Sequence, residues 1–179
     1  MDFELVFNSL IQKFKEKNVD HVLIGGFALN AAGYTRATKD IDFLITKEAV
    51  SVVKEIMSSL GYQLIHESDD VSNYWAEAKP LGSVDFLHAH RKYTKKMMER
   101  AQSKRILNGQ YYVKVVTCED MIGLKVQSSS NDESRYHQDM ADVEALINAN
   151  RENLNIELVK EYFDLFDRGK EFQEILEKM

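Results

Sequence analysis

Three acids and two glycines carry the chemistry that this sequence offers. Asp40 and Asp42 stand two residues apart in the run Asp-Ile-Asp-Phe-Leu-Ile. Alternate residues of a β-strand share a face, so the two carboxylates project together with Cα atoms about 6 to 7 Å apart. Like charges that close repel each other unless a cation, a basic group or a proton relieves them. Magnesium suits such a pair because it takes oxygen ligands and keeps positions open for substrate phosphates. Asp85, in the alternating run Ser-Val-Asp-Phe-Leu-His, supplies a third carboxylate. Three such groups on neighbouring strands could hold two metal ions roughly 3.5 to 4 Å apart, an arrangement that activates an attacking oxygen and steadies a leaving pyrophosphate.

Gly25 and Gly26 supply the complementary half. They end the apolar run His-Val-Leu-Ile and precede Phe-Ala-Leu-Asn, which reads as a short helix. Glycine lets backbone N–H groups approach a phosphate chain without obstruction, and a helix N-terminus favours an anion. The pair fits neither the dinucleotide fingerprint nor the P-loop, since no Gly-Lys-Ser/Thr follows. Its weight comes from the interval of thirteen residues that leads to Asp40.

Glycines at a strand end, a short helix, then Asp-x-Asp in an apolar strand: the pattern resembles the polymerase-β-type nucleotidyltransferase superfamily. The run GGFALN to YTRATKDIDFLI is most similar to its bacterial branch of AbiEii-like toxins and small minimal nucleotidyltransferases. Downstream, Lys125, Arg135, Asp139 and Asp142 match that branch's helical motif, with Gln138 where lysine is usual. The resemblance spans roughly residues 20 to 147. It implies that Asp40, Asp42 and Asp85 are catalytic and bind magnesium, with Asp85 helping to deprotonate the acceptor. It places Gly25, Gly26, Arg36, Thr38 and Lys125 near the nucleotide phosphates, and leaves Arg135, Asp139 and Asp142 without a settled role.

The elements that must position these groups follow from periodicity. Phe3, Leu5, Val6, Leu10, Ile11 and Phe14 recur at helical spacing, as does the stretch from Lys47 to Leu60, where Gly61 stands as a C-terminal cap. Strands are expected at His21–Ile24, at Asp40–Ile45, from Tyr62, from Asn73, from Ser83 and from Gln110. Tyr93–Gln102 reads as helix, everything from Glu119 as three or four helices, and Ser128–Ser134 as a loop. The fold class is α/β (α+β): a mixed twisted sheet flanked by helices, with residues 1–117 as the α/β core and 118–179 as a helical C-terminal portion packed on it.

Composition bounds the rest. With 179 residues, 44% of them hydrophobic, and eight glycines and one proline, the chain is globular rather than disordered or low in complexity. The single Cys118 cannot form an internal disulfide, and no Cys/His cluster of structural-zinc spacing exists, which fits a reducing cytoplasm. The first residues lack the order of a signal peptide, and no run reaches the roughly 20 apolar residues of a membrane span. A net charge of -6 argues against nonspecific nucleic-acid binding.

Plainer readings stand beside these. His88 and His90 read as ordinary surface or strand-end histidines, since no acid or cysteine cluster completes a metal site. The basic stretch 90–105, with Tyr93 in it, is a solvated helix face in the first reading and a polyanion contact in the second. Tyr162, Phe163, Phe166 and Phe172 read as core packing. The function expected is magnesium-dependent transfer of a nucleoside monophosphate from a nucleoside triphosphate to an acceptor hydroxyl or phosphate. A small molecule such as an aminoglycoside-like antibiotic, a tRNA end and a partner protein stay open as acceptors, in a resistance or toxin–antitoxin setting. The alternative is an inert module of the same fold that binds nucleotide or a partner protein.

Overall fold

The structure, a computed structural model, describes residues 1–34 and 36–178. The chain divides into two compact units, residues 1–31 with 36–116, and 32–34 with 117–178 among the described residues.

The first unit is built on a seven-stranded mixed sheet. Its strands are β1 (His21–Ile24), β2 (Asp40–Thr46), β3 (Gln63–Glu67), β4 (Val71–Trp75), β5 (Ser83–Ala89), β6 (Gln102–Ile106) and β7 (Tyr111–Val115), in the spatial order β3-β4-β5-β2-β1-β7-β6. The β2–β5 and β1–β7 pairs are parallel and the others antiparallel. The helices of this unit are α1 (Phe3–Glu16), α2 (Gly25–Ala31), α3 (Val50–Ser59) and α4 (Lys92–Arg100).

Alternation along β2 decides its two faces. Ile41, Phe43 and Ile45 are fully buried, whereas Asp40 and Asp42 are half-buried on the opposite side. Phe43 stacks on Phe86 of β5 and meets Phe7 and Phe14 of α1 edge to face, so α1 covers the aromatic side of the sheet. The carboxylates keep the other side.

Helix ends explain where the chain turns. Asp2 caps α1, its Oδ1 accepting from the Leu5 N–H at 3.1 Å. The Lys-Glu-Lys-Asn run closes α1 because Asn18 takes a left-handed φ of 54°, with the Val19 N–H donating to the Phe14 carbonyl. Gly61, at φ 83°, does the same for α3. The Gly61 and Tyr62 amides satisfy the carbonyls of Ser58 and Met57.

The helical stretch expected at Tyr93–Gln102 is shorter than its periodicity predicts. It ends at Arg100, and Gln102 opens β6, which pairs with β7 through a turn at Leu107–Gly109 where all three residues have positive φ. The dipeptide Asn108-Gly109 is a strong hairpin signal, and it decides the local structure over the helix-forming lysines before it.

The second unit contains α5 (Cys118–Asn131), α6 (Tyr136–Asn150), α7 (Ile156–Asp164) and α8 (Gly169–Glu177). The loop expected at Ser128–Ser134 is largely helix: α5 continues to Asn131, and a 3-10 turn at Glu133–Arg135 leads into α6. Serine is a poor helix former because its hydroxyl competes for backbone groups. Here Ser129 and Ser130 both donate back to the Val126 carbonyl, and the Arg168 guanidinium donates to both hydroxyls at 2.6 and 3.0 Å. The same guanidinium binds Glu171 through two nitrogens, so one arginine ties α5 to the start of α8.

A buried charge cluster joins α5 to α6. The Lys125 ammonium donates to Asp139 at 2.7 Å and to Asp142 at 2.8 Å, and Arg135 reaches the second oxygen of Asp139 at 3.2 Å. These acids are not an exposed ladder on the helix surface, since Asp139 is 1% and Asp142 2% exposed. Burial alone would raise the Asp139 carboxyl, but hydrogen bonds from Lys125, Ser128 and Arg135 hold it below the ordinary carboxylate range. Removing Lys125 leaves two buried acids without their shared cation. Lys125→Ala is therefore expected to destabilise the second unit by about 3 to 5 kcal/mol, read as a lower denaturant midpoint by circular dichroism.

Candidate active site

Register brings the three acids together. Asp42 of β2 lies directly opposite Asp85 of the parallel strand β5, and Asp40 lies opposite Ser83. On the other side, Asp42 pairs with Ile24, the last residue of β1, so the chain enters Gly25 beside the carboxylates. One oxygen from each of Asp40, Asp42 and Asp85 falls within 4.8 Å of the others. All three residues are half-buried, open enough to admit a ligand and desolvated enough to feel one another.

The glycines belong to the same place for steric reasons. Gly25 has φ 64°, in the left-handed region that favours glycine. A Cβ there would run into the Asp42 carboxylate itself. A Cβ on Gly26 would meet the Thr38 side chain, 2.6 Å from its hydroxyl. The Thr38 hydroxyl in turn donates to the Asp40 carboxylate at 2.7 Å. The glycine turn and the acid strand thus fit against each other through two direct contacts, Gly25 on Asp42 and Gly26 on the threonine that orients Asp40.

Arg36 is held nearby by its backbone, whose N–H donates to the Asn30 side chain at 2.9 Å. Asn30 was not among the residues singled out from the sequence. Its position at the end of α2, six residues before Arg36, gives it a role in fixing the connection to β2. Lys125, Arg135, Asp139 and Asp142 come together with one another in the second unit, as described above.

Asn73 is a second residue that sequence reasoning passed over. It pairs with Asp85 across the antiparallel β4–β5 ladder, and its side chain hydrogen-bonds the Asp85 carboxylate. Burial pushes the Asp85 carboxyl up, Asn73 opposes that, and the nearby Asp40 charge adds to the rise. The sequence carries no signal for this contact, because it arises only from the β4–β5 register.

The histidines find ordinary partners, His88 inside the sheet and His90 partly exposed just past the end of β5. His88 is 1% exposed, on the face opposite Asp85, with Ser72 Oγ at 3.1 Å from Nε2 and the Asp69 carbonyl at 3.1 Å from Nδ1. His90 lies 2.7 Å from the Asp70 carboxylate. Burial lowers the pKa of His88, consistent with a neutral ring in a strand.

Two outcomes test this geometry. Gly25→Ala and Gly26→Ala displace Asp42 and Thr38, so both are expected to weaken binding of magnesium with ATP by about tenfold or more, measured by calorimetric titration. The second concerns pH. Because the folded chain raises the Asp85 carboxyl, its protonated form is the favoured one, and stability falls as pH rises through that raised value. Asp85→Asn is expected to remove this loss: without metal, its thermal midpoint should equal or exceed the native one near pH 7, and the two should converge near pH 4.

Comparison with known proteins agrees with this architecture. A solution structure of the antibiotic-resistance factor ANT(2'')-Ia superposes with a TM-score of 0.68 at 18% identity, covering 97% of each chain. A crystal structure of ANT(2'')-Ia with adenylyl-2''-tobramycin gives a TM-score of 0.67 at 15% identity, over 91% of this chain and 95% of that one. The lincomycin-bound lincosamide antibiotic adenylyltransferase LnuA gives 0.52 at 14% identity, over 80% and 95%. At such identities the likeness is one of fold. No curated protein matches the sequence. The profile of a family described as uncharacterised nucleotidyltransferase matches residues 4–176. A profile match over nearly the whole chain means that the chain belongs to this nucleotidyltransferase family.

Proposed function

We propose that the chain is a magnesium-dependent enzyme that transfers a nucleoside monophosphate to a hydroxyl of a small molecule. The observation that carries this reading is the convergence of Asp40, Asp42 and Asp85 beside a glycine turn that packs directly against Asp42 and Thr38. Support for a small acceptor comes from ANT(2'')-Ia, whose adenylyl-2''-tobramycin complex has this fold over nearly the full length. LnuA, an adenylyltransferase of lincosamide antibiotics, adds to it.

The roles follow from position. The three carboxylates offer oxygen ligands to magnesium, which when bound would offset their mutual repulsion and the charge of the triphosphate. Thr38 fixes the orientation of Asp40. Gly25 and Gly26 leave room for backbone contact with the phosphates, and Arg36 supplies a cation on the same connection. Asp85 accepts the proton of the acceptor hydroxyl as its oxygen bonds to the α-phosphorus. The bond between that phosphorus and the bridging oxygen breaks, and pyrophosphate leaves with the electron pair.

The test supplies magnesium and α-phosphate-labelled nucleoside triphosphates to the protein in bacterial lysate, then separates metabolites, RNA and protein. Label is expected in the metabolite fraction, reduced about a hundredfold or more in Asp40→Asn/Asp42→Asn. Label in RNA or protein instead would replace the acceptor class, and nucleotide binding without any label would replace the enzyme by a binding module.

A further inference from the structure

Trp75 is the chain's only tryptophan, and it is 42% exposed at the end of β4. Register puts it on the carboxylate face. Asn73 pairs with Asp85, Trp75 with Ser83, and Ser83 with Asp40, so Trp75, Ser83 and Asp40 form one row across three strands. Paired residues point to the same side of a sheet, and two strand spacings of about 4.8 Å put Trp75 roughly 10 Å from Asp40. Between them stands a serine, the smallest side chain of that row. The row is therefore a shelf with an indole at one end and the acids at the other.

Displacement chemistry gives the shelf a direction. An in-line reaction places the attacking oxygen opposite the leaving pyrophosphate. The glycine turn approaches the acids from the β1 side, through Ile24 and Gly25. If the phosphates lie there, the acceptor enters from the β5 and β4 side, where Asp85, Ser83 and Trp75 are. An exposed indole with a flat apolar face and one N–H donor fits a ring that carries polar substituents.

We propose that Trp75 is a specificity-determining residue, the platform on which a ring of a small hydroxyl-bearing acceptor stacks while its hydroxyl reaches Asp85 across Ser83. The proposal rests on the reading of the chain as a nucleotidyltransferase with a small acceptor and adds the part of the acceptor that is recognised.

The lone tryptophan is its own reporter. Its emission is titrated with tobramycin, lincomycin and the metabolite fraction of a bacterial lysate, with magnesium and a non-hydrolysable ATP analogue present. The expected result is a saturable change with at least one of these probes, and an emission unmoved by all of them overturns the platform whether or not transfer occurs. In the labelled-transfer assay, Trp75→Ala is expected to raise the acceptor concentration needed for half-maximal labelling about tenfold, with Trp75→Phe restoring most of it. Equal acceptor dependence in Trp75→Ala and the native chain overturns the platform and leaves nucleotidyl transfer standing. A saturable emission change without any transfer keeps the platform and removes the transfer reading.

Discussion

Two aspartates held side by side across a parallel strand pair set the terms for the rest of the first unit. Asp42 and Asp85 face each other at one strand spacing, about 4.8 Å, and Asp40 adds a third charge within ligand distance. No fold gains stability from this. The sheet tolerates it because the strands carrying the acids are anchored on their other face by Phe43 and Phe86, packed on Phe7 and Phe14 of α1. Aromatic burial of that kind contributes several kcal/mol per ring, enough to offset a charge cluster left open to solvent on one side. The arrangement is a division of labour between the two faces of β2 and β5.

The second unit treats charge in the opposite way. Asp139 and Asp142 are buried and share the Lys125 ammonium, Arg135 binds the other oxygen of Asp139, and Asp120 accepts a hydrogen bond from the hydroxyl of buried Tyr162 at 2.6 Å. Gly123 lets the Tyr162 ring lie against α5, since a Cβ there would come within 2.7 Å of it. Every polar atom in these contacts has a partner, which is the condition under which buried polarity specifies a packing instead of weakening it.

Much of this was legible in the sequence because it rests on local rules. The alternation of Asp-Ile-Asp-Phe-Leu-Ile fixed which side of β2 carries acids, and Gly61 and Asn18 end their helices by backbone geometry that few other residues accept. What escaped is what depends on partners distant in the chain. Ser128–Asn131 resembles a loop until Arg168, 38 residues after Ser130, takes up its hydroxyls. β6 was hidden because its lysine and arginine suit a helix, and what makes it a strand is the pairing partner supplied by the Asn108-Gly109 turn. Asn73 was invisible as a site residue because its relation to Asp85 exists only in the β4–β5 register.

Glycine at position 25 shows how tightly the two halves of the site constrain each other. Any side chain there would occupy the space of the Asp42 carboxylate, and any residue but glycine would also resist the φ of 64°. The turn therefore cannot be varied while the acid stays where it is, nor the acid moved while the turn keeps its path. A stretch thirteen residues long separates the second glycine from Asp40, and its length matters less than the closure it achieves, since Thr38 returns to cover Gly26 and to orient Asp40. The spacing that identifies the motif in the sequence corresponds, in the structure, to the connection that brings the glycine turn and the aspartate strand into contact.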